Sequence, residues 1–319
     1  MIVRWGLDSL SDVLAELGSS APYLLATERH DDLPAQAGRW SALPTDDIGA
    51  IVAALAAADA LVPLGGGSSI DTAKAVSAET GLPVVSIPTT YSGAEWTPFF
   101  GVRDPARRQR GGGAGARVAG IVYEPDLTLG LPRAVTVGTA LNALAHCAEA
   151  LYVKGRNPES DEHALAGARL IAASLPRVLD DGTDRDARRE LLEGAMHAGA
   201  ALGGAGLGLG HAMAQALGGR YGISHGALNA VCLPPALRFN EPVAGAEIAR
   251  FAAAAGAEDA AAKAEELARL AGFERLRDLG VPEPELPLVA EAAAERAGAK
   301  ANPRPASAAE IADLLRAVW

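Results

Sequence analysis

Leu64-Gly65-Gly66-Gly67-Ser68-Ser69-Ile70-Asp71-Thr72-Ala73-Lys74 is the stretch on which the reading of this chain turns. The apolar run Ala60-Leu61-Val62-Pro63-Leu64 leads into it, and the helix-compatible residues Thr72 to Ala78 follow. Strand, glycine turn, helix is the order in which backbone N–H groups converge on an anion at a helix N-terminus. Side chains at such a turn would block close backbone approach, and some positions can require positive φ. The stretch lacks the G-x-G-x-x-G spacing of the dinucleotide fingerprint, so that motif's specificity does not transfer. A tight turn and a phosphate cradle both remain open from these residues alone.

Working outward, Leu82 to Pro88 reads as a strand, followed by the hydroxyl-rich Thr89-Thr90-Tyr91-Ser92-Gly93-Ala94-Glu95-Trp96-Thr97. The C-terminal edge of a strand is where an open α/β sheet binds ligands, although the same hydroxyls would also serve as turn caps. Ala119 to Pro125 is a further strand, and Gly111 to Gly115 reads as a mobile loop. Upstream, Tyr23 to Ala26 is a buried strand ending at Thr27-Glu28. Glu28 stands where an acidic residue can hold an adenosine ribose hydroxyl, or simply face solvent. Arg39 to Leu43 reads as a strand, and Pro44 with Thr45-Asp46-Asp47 opens a helix through Ala58. Asp8 is placed to cap a helix bearing Leu10, Val13, Leu14 and Leu17, with Gly18 as its stop. Alternating strands and helices indicate an α/β domain with a mostly parallel sheet over residues 1–132. From Arg133 the pattern is helical almost throughout, giving an all-helical domain over 133–319.

Length and composition agree with an enzyme of this build. The 319 residues suffice for a substantial core. The net charge of −11 argues against nucleic acid or an anionic membrane as partner, yet allows a small anionic substrate in a locally positive pocket. Cys147 and Cys232 have no C-x-x-C or zinc-type spacing, and Met1 to Gly6 shows no signal-peptide core, so a cytoplasmic chain with reduced thiols is expected. The uncharged run Gly194 to Gly219 suits a buried helix pair better than a membrane span.

The helical half carries the polar candidates. Asn142 and His146 are spaced i, i+4 on one helix face, and His211 and Gln215 repeat the spacing. His225 follows in Ile223-Ser224-His225-Gly226. These three histidines can meet only through the fold, and in small apolar surroundings a shared site and separate structural roles both remain open. His30, His163 and His197 lack such company and read as structural.

Together, Gly65-Gly66-Gly67-Ser68, Pro88 to Pro98, Val122 to Thr128, Leu141 to His146, Leu217-Gly218-Gly219 and His225 resemble the iron-containing alcohol dehydrogenase family, which shares the dehydroquinate synthase-like fold. Within it the maleylacetate reductases look most similar. The resemblance implies an active site between the two domains and an NADH or NADPH cofactor. It implies that Gly66, Gly67 and Ser68 hold the pyrophosphate while Thr89, Thr90 and Ser92 line the path to the nicotinamide. Metal-using members bind Fe²⁺ or Zn²⁺ through one aspartate and three histidines, at positions matching Asn142, His146, His211 and His225. Asn142 removes the anionic ligand, as is typical of maleylacetate reductases, which are regarded as metal-independent. The implied activity is reduction of maleylacetate, a dicarboxylate, by a homodimer. The alternatives are a metal-dependent alcohol dehydrogenase or a relative without redox activity. Gln215 stands where most relatives have histidine, and Ala212 where maleylacetate reductases commonly have lysine. The segment Glu28 to Leu43 is short for the family, and Arg108 falls near a family lysine, beside Arg107 and Arg110.

Overall fold

The computed structural model describes residues 1–27, 33, 35–43, 47–104 and 109–319, with side chains omitted over 102–110. Glu28, His30, Pro44, Thr45, Asp46, Arg107 and Arg108 lie outside the described residues. The chain divides into two compact units, and Tyr91–Gly93 belongs with the second.

The first unit is built on β1 (Ile2–Trp5), α1 (Leu10–Glu16), β2 (Pro22–Leu25), β3 (Gly38–Trp40), α2 (Ile48–Ala54), β4 (Ala60–Gly65), α3 (Gly67–Thr80), β5 (Pro83–Pro88), β6 (Phe100–Asp104), β7 (Gln109–Gly113) and β8 (Arg117–Tyr123). Six strands form one sheet in the order β1-β8-β5-β4-β2-β3, and every pairing is parallel. A parallel sheet is covered on both faces, which is why its central strands are apolar throughout. Leu24, Val62, Val85 and Val122 pack with Leu10, Val13 and Leu14 of α1. On the other face Tyr23, Leu25, Leu61 and Val84 meet Ile51 of α2 and Ala73 and Val76 of α3.

Several expectations need correction. Strand β1, a segment left unassigned above, lies at the sheet edge against β8. Asp8 is not a cap: α1 follows a short 3₁₀ turn, and its N-cap Ser9 makes no side-chain capping bond. Helix α3 begins at Gly67, five residues before Thr72, because Gly66 acts as N-cap. Gly111 to Gly113 is no loop but part of β7, paired with β6. The glycines allow this by closeness: a Cβ on Gly113 would fall 2.4 Å from the Phe100 ring.

The second unit carries α4 (Arg133–Ala150), α5 (Pro158–Asp180), α6 (Arg185–Ala205), α7 (Leu209–Tyr221), α8 (His225–Ala254), α9 (Ala260–Arg269), α10 (Leu286–Ala294), α11 (Ala297–Ala301) and α12 (Ala308–Ala317). Its core gathers Leu209, Met213 and Leu217 of α7 with Leu228 and Val231 of α8 and Leu286, Val289, Ile311 and Leu315 from the last helices. Ala244 leaves the helical region, so α8 is broken two residues after Pro242. His163 and His197, expected to stand alone, face each other from α5 and α6 with their Nδ1 atoms 2.8 Å apart. Among the described residues, no helix is long and apolar enough to cross a membrane.

Candidate active site

In the first unit the glycine turn and Thr89-Thr90 leave the sheet side by side. Gly65 pairs with Pro88, and the Thr89 amide donates to the Gly65 carbonyl at 3.0 Å. Gly66 has φ −79°, which any residue tolerates, so glycine is needed there for room. A Cβ at Gly66 would meet Thr90 Cγ2 at 3.0 Å and Thr90 Oγ1 at 3.4 Å. The first helical bonds of α3 come from Ser69 and Ile70 to Gly66, so the Gly67 and Ser68 amides precede the intrahelical ladder. Thr90 Oγ1 is buried and has no hydrogen-bond partner among the described residues. A bare helix start beside an unsatisfied hydroxyl fits a phosphate-bearing cofactor. Behind it, Lys74 pairs with Asp71 at 2.9 Å and donates to the Ala94 and Phe99 carbonyls, tying the segment that follows the hydroxyl row to α3.

In the second unit the polar centre starts from two glycines. A Cβ at Gly226 would lie 2.4 Å from the Gly138 carbonyl carbon, so α4 and α8 touch backbone to backbone. About one turn beyond this crossing stand Asn142 and Asn229. Asn229 Nδ2 donates to Asn142 Oδ1 at 2.7 Å, and Asn142 Nδ2 donates to the Ser92 carbonyl at 3.0 Å. A carbonyl only accepts, so Ser92 fixes which end of the Asn142 amide carries hydrogens. The same nitrogen lies 2.9 Å from His146 Nε2, which therefore accepts, and a neutral His146 ring keeps its proton on Nδ1. Burial, with His211 and His225 adding to it, holds His146 well below the ordinary imidazole pKa.

His211 is anchored by Glu149, which sequence reasoning passed over. Helix α7 has no side-chain cap of its own, and the Glu149 carboxylate on α4 supplies one. It accepts from the Gly208 amide at 2.7 Å, from the His211 amide at 3.2 Å and from His211 Nδ1 at 2.7 Å. The signal was available: Glu149 lies three residues past His146, on the same face of a largely uncharged helix. The His146 and His211 rings meet edge to face at 4.5 Å between centroids, and His211 and His225 stand 5.7 Å apart. The fold thus gathers the three histidines singled out from the sequence. His146 Nδ1 and His211 Nε2 are both buried without a hydrogen-bond partner among the described residues.

Whether this set suits a metal follows from its donors. At position 142 an amide N–H, where metal-using relatives place a carboxylate, points at His146 Nε2 and occupies its lone pair. Among the described residues, no three His, Cys, Asp or Glu side chains are grouped to hold an ion. As arranged, with the His146 Nε2 lone pair taken by an amide N–H, these residues do not fit a dication. Ala212 is fully buried beside His211, while Gln215, one turn on, accepts from Arg296 Nη1 at 3.3 Å.

Comparisons with known proteins identify the family. The C-terminal model of the Fe-containing alcohol dehydrogenase family matches residues 136–319, and the iron-containing alcohol dehydrogenase model matches 42–118. A maleylacetate reductase of Burkholderia cepacia is 40% identical over 259 residues, covering 81% of this chain and 73% of that protein. The crystal structure of maleylacetate reductase from Rhizobium sp. strain MTP-10005 superposes with a TM-score of 0.90 at 31% identity, covering 100% of this chain and 95% of the other. An iron-containing alcohol dehydrogenase from Corynebacterium glutamicum gives 0.91 at 28% identity, covering 100% and 94%. With the family models spanning most of both units, the chain belongs to the iron-containing alcohol dehydrogenase family.

Proposed function

We propose that this protein reduces the carbon–carbon double bond of maleylacetate to give 3-oxoadipate, using NADH or NADPH. The observation that carries the reading is the Asn142 amide, which turns its N–H towards His146 where a metal-using relative would present a carboxylate. The 40% identity to a maleylacetate reductase supports it. When bound, the reduced nicotinamide supplies the hydride. Hydride addition at the alkene carbon β to the ketone moves an electron pair onto the ketone oxygen as an enolate. The carbon between them then takes a proton. His146 holds a ring proton at Nδ1, available to that oxygen as a hydrogen bond. His211, oriented at Nδ1 by Glu149, can hold and release a proton at Nε2, as an imidazole backed by a carboxylate does elsewhere. Such donors stabilise an enolate without a Lewis acid, whereas alcohol oxidation, which forms an alkoxide, is well served by one.

We place the cofactor pyrophosphate at Gly66, Gly67 and Ser68, with Thr89, Thr90 and Ser92 towards the nicotinamide. A cytoplasmic homodimer completes the proposal. The test is oxidation of NADH and NADPH with maleylacetate and with a panel of aldehydes, with and without chelator, alongside metal analysis. Chelator-insensitive turnover of maleylacetate is the expected result. Turnover confined to aldehydes and strictly dependent on metal would replace the reading with an alcohol dehydrogenase.

A further inference from the structure

Tyr91-Ser92-Gly93 belongs with the second unit, and helices α4 and α6 hold it there. The Tyr91 amide donates to Thr139 Oγ1 on α4 at 3.3 Å, and that hydroxyl donates in turn to the Val135 carbonyl at 2.8 Å. One residue on, the Ser92 carbonyl accepts from Asn142 Nδ2. Gly93 has φ +72°, and a Cβ there would lie 3.2 Å from the Ala195 carbonyl oxygen and from the Gly199 amide nitrogen of α6. Conformation and room both require glycine. The remaining hold is Arg188, also on α6, whose Nη1 donates to the Tyr91 hydroxyl at 3.0 Å. Its Nη2 donates to the Leu129 carbonyl at 3.3 Å and its Nε to the Gly182 carbonyl at 2.7 Å. Tyr91 and Leu129 each begin a stretch that belongs to the second unit, so one guanidinium grips both. Arg188 is 3% exposed, and these three acceptors are neutral oxygens. Burying a charge among neutral groups is costly, and an apolar side chain would serve packing alone at least as well.

Resting on the reading above for its catalytic consequence, we propose that Arg188 is a positioning residue. By fixing Tyr91 it keeps the Ser92 carbonyl on the Asn142 amide, and so keeps the His146 ring proton at Nδ1. Asn229 cannot set this direction by itself. Its Oδ1 is buried without a hydrogen-bond partner among the described residues, so its amide can turn over together with that of Asn142. With both amides reversed, Asn142 Oδ1 would face His146 Nε2, which would then have to donate. The ring proton would leave Nδ1, and the donor offered to the enolate oxygen would be lost. The Ser92 carbonyl, which only accepts, is what forbids that arrangement. A supporting group that locks a reacting side chain in this way acts on rate more than on substrate affinity.

The experiment records imidazole nitrogen shifts of the full-length, nitrogen-15-labelled protein, with His146 assigned by comparison with His146→Gln, alongside steady-state reduction of maleylacetate. Wild-type His146 is expected as the tautomer protonated at Nδ1. Tyr91→Phe and Arg188→Gln should move its two nitrogen signals towards a mixture of tautomers. They should also lower kcat about tenfold, the worth of one hydrogen bond, while KM stays within about twofold. Arg188→Lys keeps a donor for Tyr91 without the fork and should fall between. Tyr91→Phe removes a single hydroxyl, and it carries the test if the Arg188 variants do not fold. A folded Tyr91→Phe that keeps the wild-type tautomer overturns the proposal, whatever its kcat. A shifted tautomer with unchanged kcat overturns the use of the Nδ1 proton in the reaction. A wild type that does not turn over maleylacetate overturns the functional reading, and the nitrogen signals then decide the role of Arg188 by themselves.

Discussion

Replacing Glu149 tests the claim that one carboxylate both caps α7 and orients His211. Glu149 is 0% exposed and accepts three hydrogen bonds, two of them from backbone amides that begin a helix without its own side-chain cap. Glu149→Ala leaves the Gly208 and His211 amides buried without acceptors. Each such orphan costs about 1–3 kcal/mol, so the variant should lose roughly 3–5 kcal/mol. Glu149→Gln keeps the shape but has one acceptor oxygen in place of two. Its amide N–H must face one of the donors, and a loss of about 1–3 kcal/mol is expected. Urea unfolding followed by circular dichroism measures both, through the shift in midpoint at constant slope. Imidazole nitrogen chemical shifts supply an independent readout, since His211 should no longer be held with its proton at Nδ1. If Glu149→Gln unfolds within about 0.5 kcal/mol of the wild type and His211 keeps its tautomer, the reasoning fails.

Other consequences can be checked more briefly. Gly226→Ala places a methyl 2.4 Å from the Gly138 carbonyl carbon, so it should destabilise by about 1–3 kcal/mol and, by parting Asn229 from Asn142, lower turnover as well. A variant as stable and active as the parent would show that the helix contact is not needed. His146 has a depressed pKa in the folded chain, so the unfolded chain binds the extra proton as pH drops through the ordinary value of 6.5. Stability should therefore decline as pH is lowered from there to the folded-state pKa. The decline should be shallower in His146→Gln, and an identical slope in the variant would contradict the assignment. Cys147 and Cys232 are buried, and burial pushes both thiols far up, so neither should react with a disulfide reagent until denaturant is added. Reaction of the native protein at either thiol would contradict their burial.

The sequence by itself determined the parts whose cause is local. The apolar run into Gly65-Gly66-Gly67 announced strand, turn and helix, because only that order buries Leu61 to Leu64 and leaves amides at a helix start. Helical spacing put Asn142 with His146 and His211 with Gln215 on common faces. A misreading arose where local pattern was weak: Gly111 to Gly113 looked like a loop because glycine's close approach to Phe100 leaves no trace in the chain. Only the tertiary structure decided which distant groups share a proton or a lone pair. Glu149 reaches His211 across 62 residues, Asn229 reaches Asn142 across 87, and His163 finds His197. Those contacts follow from helix crossings set by close-packed glycines such as Gly138 and Gly226. Hydrogen-bond direction at Asn142 depends on the Ser92 carbonyl, a backbone group whose position no side-chain pattern encodes.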